Sequence, residues 1–501
     1  MANPLHDSLI APLAERYDTF LTLPDGTTLS GAAFFRMAER QAGALASLGL
    51  VPGDRLAVQV EKSPQALALY AACVMAGIVF LPLNTAYTAD ELEYFIGDSE
   101  AGAVICGPAA AGTVARIAGG VPVLTLDAEG QGSLSDRAAG DHPFVPAERG
   151  PDDLAALLYT SGTTGRSKGA MLSQANLLSN ALTLAELWRF GADDVLLHAL
   201  PIFHTHGLFV ATNVVLASGG SMIFLPRFDA DNVIRWLPEA TSMMGVPTFY
   251  TRLLSDERFT SELTKGMRLF TSGSAPLLAE THREFESRTG HRILERYGMT
   301  ETNMNTSNPY DGERRAGTVG FPLPGVELKI TDPDTGATLA DGAAGIIEVR
   351  GPNVFQGYWR MPEKTAAELR EDGFFITGDI GLIDEDGYVH IVGRAKDLII
   401  SGGYNIYPKE IELILDEQAD VLESAVIGVP HPDFGEGVVA VLVPRPGARI
   451  DPDAVRAGIA PRLAKFKQPK AIEILPDLPR NTMGKVQKNL LRDRYGAMFK
   501  A

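Results

Sequence analysis

Hydrophobic and polar positions along the chain alternate between two periods. Ser30 precedes a run in which Phe34, Met37, Ala38, Ala42 and Leu45 recur at helical spacing and Gly49 ends the pattern, which predicts a serine-capped helix. Just before it, residues 20–23 and 27–29 flank Pro24-Asp25-Gly26, the signature of two strands around a tight turn. Short apolar runs at 55–60, 79–83 and 103–106 predict strands, and the stretches between them, 64–76 and 89–98, predict helices. The same alternation continues through strands expected at 195–200, 221–225, 243–246, 268–271 and 293–297, several of which run into short polar or glycine-rich loops. Strand and helix in alternation argue for largely parallel, helix-covered sheets, and such sheets bind ligands at the carboxyl ends of their strands. From Gly325 the texture changes to strands and turns, at 326–330 and 345–350, which predicts a β-rich subdomain. Past a strand at 388–392 comes a compact segment with helices at 408–416 and 452–463 and strands at 421–429, 438–444 and 472–475. The expected fold class is therefore α/β, with a large N-terminal domain at 1–395 and a small α+β domain at 396–501.

The apolar run 154–158 delivers Tyr159-Thr160-Ser161-Gly162-Thr163-Thr164-Gly165-Arg166-Ser167-Lys168-Gly169. Glycines let backbone N–H groups approach an anion, hydroxyls add donors, and Arg166 and Lys168 add charge, so this stretch reads as a phosphate loop leaving a buried strand. It is not a Walker A loop, because the spacing from Gly162 puts Ser167 where the second glycine belongs. Gly165-Arg166-Ser167-Lys168-Gly169 does satisfy the G-x-S-x-G pattern of a hydrolase nucleophile elbow. A hydrolase acting through Ser167 is thus an alternative, weakened by the long loop ahead of it and the two flanking cations.

Composition narrows the function classes. The 501 residues can hold more than one domain, and 45% hydrophobic with 21% charged is ordinary for a globular chain. A formal net charge of −18 disfavours a nucleic-acid or membrane-surface role, and means that any anion site must be built from local cations and N–H groups. Cys73 and Cys106 both lie in apolar segments and read as core thiols. Residues 1–13 lack a signal-peptide pattern and no apolar run is long enough to span a bilayer, so a cytoplasmic protein acting on small molecules is expected.

Five motifs then occur in a fixed order: Tyr159 to Gly169, Tyr297-Gly298-Met299-Thr300-Glu301, Thr377-Gly378-Asp379, Gly393-Arg394-Ala395-Lys396-Asp397 and Pro479-Arg480-Asn481-Thr482-Met483-Gly484-Lys485. Taken singly, Tyr297 reads as a core aromatic, and Glu301, Asp379, Arg394 and Lys485 as solvated charges. In this order the chain resembles, over essentially its whole length, the AMP-forming acyl-CoA synthetases, the adenylating superfamily that includes luciferases and peptide-synthetase adenylation domains. The resemblance implies ATP, Mg²⁺ and coenzyme A as cosubstrates. It implies that Thr160, Ser161, Gly162, Thr163, Thr164, Gly165 and Lys168 cradle the phosphates. Tyr297 and Ser274-Ala275-Pro276 border adenine, and Glu295, Gly298, Met299 and Thr300 belong to the same nucleotide site. Glu301 holds Mg²⁺ together with Thr160, and Asp379 and Arg394 bind ribose or phosphate. Lys485 bridges carboxylate and α-phosphate during adenylation. Lys396 is the hinge of a mobile C-terminal domain, and its pivot brings Gly402 and Gly403 in for the thioester step. His204 and His206 flank the acyl pocket, either of them a functional or a packed histidine.

A short diacid needs a buried cation for its second carboxylate. Arg252, in Pro247-Thr248-Phe249-Tyr250-Thr251-Arg252, lies where the family's acyl pocket is found, and Ser272 and Met304 complete the expected lining. This combination closely resembles malonyl-CoA synthetases, or malonate-CoA ligases, and implies malonate, with methylmalonate as a second acid. Arg252 is the expected receptor of the distal carboxylate. The rivals are the same chemistry on another short or aromatic acid, and a stand-alone adenylation domain loading a carrier protein. The family also implies a monomer or homodimer, and a lysine acetyltransferase acting on Lys485.

Overall fold

The computed structural model describes residues 3–160, 167–401, 404–481 and 484–499. It divides into two compact units, one of residues 1–327 with 349–375 and the other of residues 328–348 with 376–501.

The first unit holds two sheets. A six-stranded sheet runs in the order Val123–Thr125, Ala103–Cys106, Arg55–Gln59, Val79–Pro82, Leu154–Thr160 and Lys168–Ser173. All of its pairings are parallel except the last, where Leu154–Thr160 and Lys168–Ser173 pair antiparallel with Thr160 opposite Lys168. The expected phosphate loop therefore joins the two strands of a hairpin. The second of these strands was not foreseen, because Gly169 and Ala170 carry weak strand propensity. The nine-stranded sheet has a parallel centre, Leu294–Met299, Leu269–Ser272, Ser242–Gly245, Val195–His198, Ser221–Phe224 and Thr19–Thr22. Antiparallel strands close it at both edges, with Asn303–Ser307 and Phe321–Pro322 beyond Leu294–Met299 and Thr28–Ser30 beyond Thr19–Thr22.

Helix ends follow local chemistry. The Ser30 side chain accepts from the Ala33 N–H at the start of Gly31–Ala46. Helix Pro64–Ala76 starts after Ser63, carries proline in its first turn, and stops at Gly77 with φ +67°. That helix is apolar all round and is buried from Ala66 to Ala76, which explains Cys73 as a core thiol. Thr88 and Glu91 form a reciprocal capping box before Ala89–Asp98. Among the described residues no helix is long and apolar enough to cross a membrane.

The second unit contains most of a four-stranded sheet, Glu327–Thr331, Gly345–Arg350, Phe375–Ile383 and Val389–Arg394. It also contains a five-stranded sheet in which Val421–His431 and Gly435–Pro444 pair over nearly their whole length. Helices Pro408–Asp416 and Pro452–Ile459 cover one face, where Ile411, Leu415, Val455 and Ile459 join Val426, Val438, Ala440 and Leu442 in one core. Leu491 and Tyr495 of helix Lys488–Tyr495 pack into a second cluster with Ile427, Val439 and Val441.

Candidate functional site

In the first unit, polar residues gather where three parallel strands of the large sheet end. Strand Leu269–Ser272 runs into Gly273 and Ser274, and Ser274 is held at φ +68°, a left-handed conformation that costs an L residue energy. Its Oγ lies 3.2 Å from His206 Nδ1. His206 opens a π-helical run, His206–Thr212, and is completely buried. Burial, reinforced by the nearby Arg296 and by His204 and His198, holds His206 well below the usual imidazole range, so it is neutral. Its Nε2 has no hydrogen-bond partner among the described residues.

Arg296, in the neighbouring strand Leu294–Met299, is the residue that sequence reasoning missed. It is buried, its Nε and Nη2 are both without a hydrogen-bond partner among the described residues, and burial draws its guanidinium down to about 9. The guanidinium packs on the bare backbone of Gly273, where an added Cβ would come within 2.1 Å of Nη1. Any side chain at 273 would therefore displace it. Ser272 is buried with its Oγ unpartnered among the described residues, and it is paired with Glu295 in the strand ladder, on the face opposite Arg296. Thr205 donates to Asn303 Oδ1 at 2.6 Å, leaving the Asn303 amide nitrogen unpartnered, and Asn303 also has a positive φ of 50°. Met304 is buried, and its Cε would lie 2.5 Å from a Cβ placed on Gly298. Buried donors without acceptors cost about 1–3 kcal/mol each, so the two open nitrogens of Arg296 beside His206 call for an anionic ligand.

Arg252 does not join this group. On helix Pro247–Leu254 the buried positions are Tyr250, Leu253 and Leu254, and Arg252 lies on the exposed face. It lines an open surface cavity of about 640 Å³ with Phe228, Asp229, Asp256 and Arg258. The expected acid-binding cation Arg252 is carried outward by its helical phase, and the buried cation beside His206 is Arg296.

A second group surrounds Glu301. Its carboxylate is buried, and the Tyr358 hydroxyl lies 3.1 Å from its Oε1 and 2.6 Å from Glu368 Oε2. One phenolic proton serves two carboxylates, and burial together with those two charges raises the Tyr358 pKa. Lys168 Nζ is 3.3 Å from Glu368 and 4.2 Å from the centre of the Tyr358 ring. Thr160, at the end of its strand, donates to the Lys168 carbonyl at 3.5 Å. Tyr94 donates to the carbonyl of Ser167 at 2.9 Å. The expected phosphate ligands Ser161, Gly162, Thr163, Thr164 and Gly165 lie outside the described residues, as do Gly402 and Gly403.

The remaining nucleotide residues are found on the same strand ends. Tyr297 is buried, while Gly298, Met299, Thr300, Ser274 and Ala275 are half-buried and Pro276 is exposed. Glu295 is occupied by its own neighbours: the Gly317 N–H donates to it at 3.1 Å and His282 Nδ1 lies 3.6 Å away. Burial outweighs both contacts and raises its pKa. His204 is half-buried, and its Nδ1 accepts from the His206 N–H at 3.4 Å.

The second unit brings together Asp379, Arg394, Lys396 and Lys485. Asp379 and Arg394 are paired across an antiparallel ladder, and Arg394 Nε donates to buried Asp379 at 2.6 Å. Asn481 Oδ1 accepts from the Lys485 N–H at 3.0 Å, and Asn481 N donates to the Lys485 carbonyl at 2.9 Å. The residue as a whole is exposed, yet desolvation of its ammonium, with Arg394 and Lys396 nearby, lowers its pKa to about 8 against the opposing pull of Asp379 and Asp397. Lys396 sits in the short turn Ala395–Asp397 between two strands, and desolvation lowers its pKa as well. Asp397 is fixed by Arg492 at 2.6 Å.

The chain matches the model of the AMP-binding enzyme over residues 14–359 and that of the AMP-binding enzyme C-terminal domain over residues 410–485. It is similar to MatB from Rhodopseudomonas palustris, solved with ATP bound, at 59% identity and TM-score 0.97 over 100% of both chains. It is 38% identical over 479 residues to the feruloyl-CoA synthase of an Amycolatopsis species, covering 94% of this chain and 95% of that protein. It is 35% identical over 483 residues to the malonate–CoA ligase of Arabidopsis thaliana, covering 89% of this chain and 78% of that protein.

Proposed function

Because the chain belongs to the AMP-binding enzyme family, we propose that it is an AMP-forming acid–thiol ligase that joins malonate to coenzyme A. A malonate carboxylate oxygen attacks the α-phosphorus of ATP and the bond to the β-phosphate breaks, so that malonyl-adenylate forms and pyrophosphate leaves. The thiol of coenzyme A then attacks the acyl carbon, releasing AMP and the thiol proton. The observation that carries the choice of acid is Arg296, a buried guanidinium with two nitrogens unpartnered among the described residues, beside neutral His206. A diacid supplies the missing acceptor, whereas an apolar acid would leave the cation buried against carbon. The likeness to the malonate–CoA ligase supports this reading, and that to the feruloyl-CoA synthase keeps an aromatic acid as the alternative.

The other residues divide the work by chemistry. Asp379 offers two acceptor oxygens to ribose hydroxyls, with Arg394 holding it in place. Lys168 supplies positive charge to the phosphates. Lys485 offsets negative charge as carboxylate and α-phosphate approach one another. Lys396, in its short turn, is the hinge of the C-terminal part. A divalent cation fits the donor chemistry: Glu301 is a buried hard-oxygen ligand and Thr160 a hydroxyl at the end of its strand, and Mg²⁺ typically takes one or two carboxylates and completes its shell with phosphate and water. When bound, it balances polyphosphate charge.

A screen of malonate, methylmalonate, propionate and ferulate with ATP, Mg²⁺ and coenzyme A, following pyrophosphate and thioester together, tests the proposal. Malonate is expected to give the highest kcat/KM in both readouts. Preference for ferulate or propionate would reject the diacid reading, and pyrophosphate release without thioester would point to a carrier-protein acceptor.

A further inference from the structure

Outside these groups the first unit contains a second buried cation. Lys62, in the loop after strand Arg55–Gln59 of the six-stranded sheet, is 8% exposed, and its Nζ reaches across to the end of strand Val195–His198 in the nine-stranded sheet. Nζ lies 2.9 Å from His198 Nδ1, 2.8 Å from the His198 carbonyl and 2.9 Å from the Leu200 carbonyl. It also sits 4.2 Å above the ring of Phe224. Three acceptors match the three N–H groups of an ammonium.

The imidazole continues the chain of contacts. His198 Nε2 lies 2.8 Å from the Gly207 carbonyl, which also accepts from Thr212 Oγ1 at 3.0 Å. A carbonyl can only accept, so the His198 proton sits on Nε2, which leaves Nδ1 as an acceptor for Lys62. Burial and the neighbouring Lys62 keep the His198 imidazole neutral. Burial lowers the Lys62 pKa as well, and its two carbonyl acceptors and the Phe224 ring are the contacts that favour the ammonium form there.

The contacts of this pair lead towards the candidate acyl pocket. Gly207 directly follows His206, and its backbone packs so closely on the incoming chain that a Cβ there would lie 2.0 Å from the Pro201 carbonyl. Lys62 fixes the carbonyls just before that turn, and His198 fixes the carbonyl just after it. The loop between them, Pro201 to His206, carries His204, Thr205 and His206. His206 Nδ1 then meets Ser274, and its free Nε2 belongs to the same buried set as Arg296.

We propose that Lys62 and His198 are positioning residues for acid recognition: a buried Lys62–His198–Gly207 relay, spanning both sheets, sets the height and angle of His206 in the acyl pocket. The inference rests on the acid-activating reading of that pocket. It places a specificity-determining contact in the loop after the Arg55–Gln59 strand, far in sequence from the adenylating motifs.

The test compares His198→Leu, His198→Gln and Lys62→Met, using whichever acid the wild type turns over best, so that a different acid would overturn the malonate reading and leave this test intact. Glutamine retains one N–H for Gly207 and one oxygen for Lys62, whereas leucine retains neither. His198→Leu and Lys62→Met are expected to raise the KM for the acid about tenfold or more and leave the KM for ATP nearly unchanged, whereas His198→Gln stays close to wild type, because an ångström-scale misplacement of a substrate-positioning group costs orders of magnitude. A purely structural role would lower the amount of active enzyme without moving one KM against the other, and that outcome overturns the proposal. Wild-type protein labelled with ¹⁵N-histidine supplies a readout of the native ring itself. The signal absent from His198→Gln should report a neutral ring protonated at Nε2, and a ring protonated at Nδ1 or at both nitrogens overturns the relay.

Discussion

Replacing Arg296 by methionine is expected to lower kcat/KM for malonate about a thousandfold, or ~4 kcal/mol, with KM for ATP close to its wild-type value. The magnitude follows from leaving one end of a dianion buried without its partner, a loss at the upper range of charged hydrogen-bond deletions. Methionine keeps much of the volume and removes the charge. Stability should move the other way. In the free enzyme the guanidinium is buried, two of its nitrogens are unsatisfied, and its pKa is depressed to about 9, so the substitution should leave Tm unchanged or raise it. Steady-state kinetics with malonate and propionate, together with a thermal melt, read both effects. Malonate kinetics near wild type would remove Arg296 from acid recognition, and a collapse in Tm would reassign it to the core.

The Lys485→Ala variant is expected to lose malonyl-adenylate formation by roughly a hundredfold to a thousandfold while still converting supplied malonyl-adenylate and coenzyme A to thioester. ATP–pyrophosphate exchange reads the first step and thioester formation from the synthetic adenylate reads the second. Equal loss in both would reject the division of labour. The same lysine predicts a pH limb. With a pKa near 8 its ammonium is present below that pH and lost above it, so wild-type adenylation should decline as pH rises through about 8. Thioester formation from supplied adenylate should lack that limb, and a flat adenylation profile across the range would show that the lysine charge is not needed.

Periodicity and capping made much of the fold readable. Ser63, Pro64 and Gly77 bracket a helix whose limits match expectation, and the strand at Ala103–Cys106 does the same. These features depend on residues within a turn of one another, which a sequence displays directly. The strand Lys168–Ser173 is formed by its partner across the hairpin, and nothing local signals it. For the site, polar loops at strand ends pointed to the right edge of the sheet, yet the cation chosen there was Arg252. Arg296 was hidden inside a predicted strand. Its signal was nonetheless present: Leu294-Glu295-Arg296-Tyr297 puts two charges into a segment bordered by a parallel neighbour, where near-continuous apolar residues are the rule. Glu295 finds His282 and the Gly317 N–H, but two nitrogens of Arg296 find no partner, and only coordinates separate those outcomes. Lys62 and His198 are paired at a separation of 136 residues, which no local pattern encodes.

The left-handed backbone at Ser274 and Asn303 bears on how this protein would respond to selection. Glycine at Ser274 would relieve about 1 kcal/mol of strain, and at Asn303 somewhat less, since asparagine tolerates that conformation. Each exchange would also delete a polar contact of the pocket, Ser274 with His206 or Asn303 with Thr205. At Asn303 the buried Thr205 hydroxyl would lose its acceptor, which outweighs the relief, so a library screened for heat resistance would be drawn towards glycine at Ser274 and would give up its contact with His206 in return. Thermal fitness and catalytic fitness point in opposite directions at Ser274, and a screen that measures only one of them will drift away from the other.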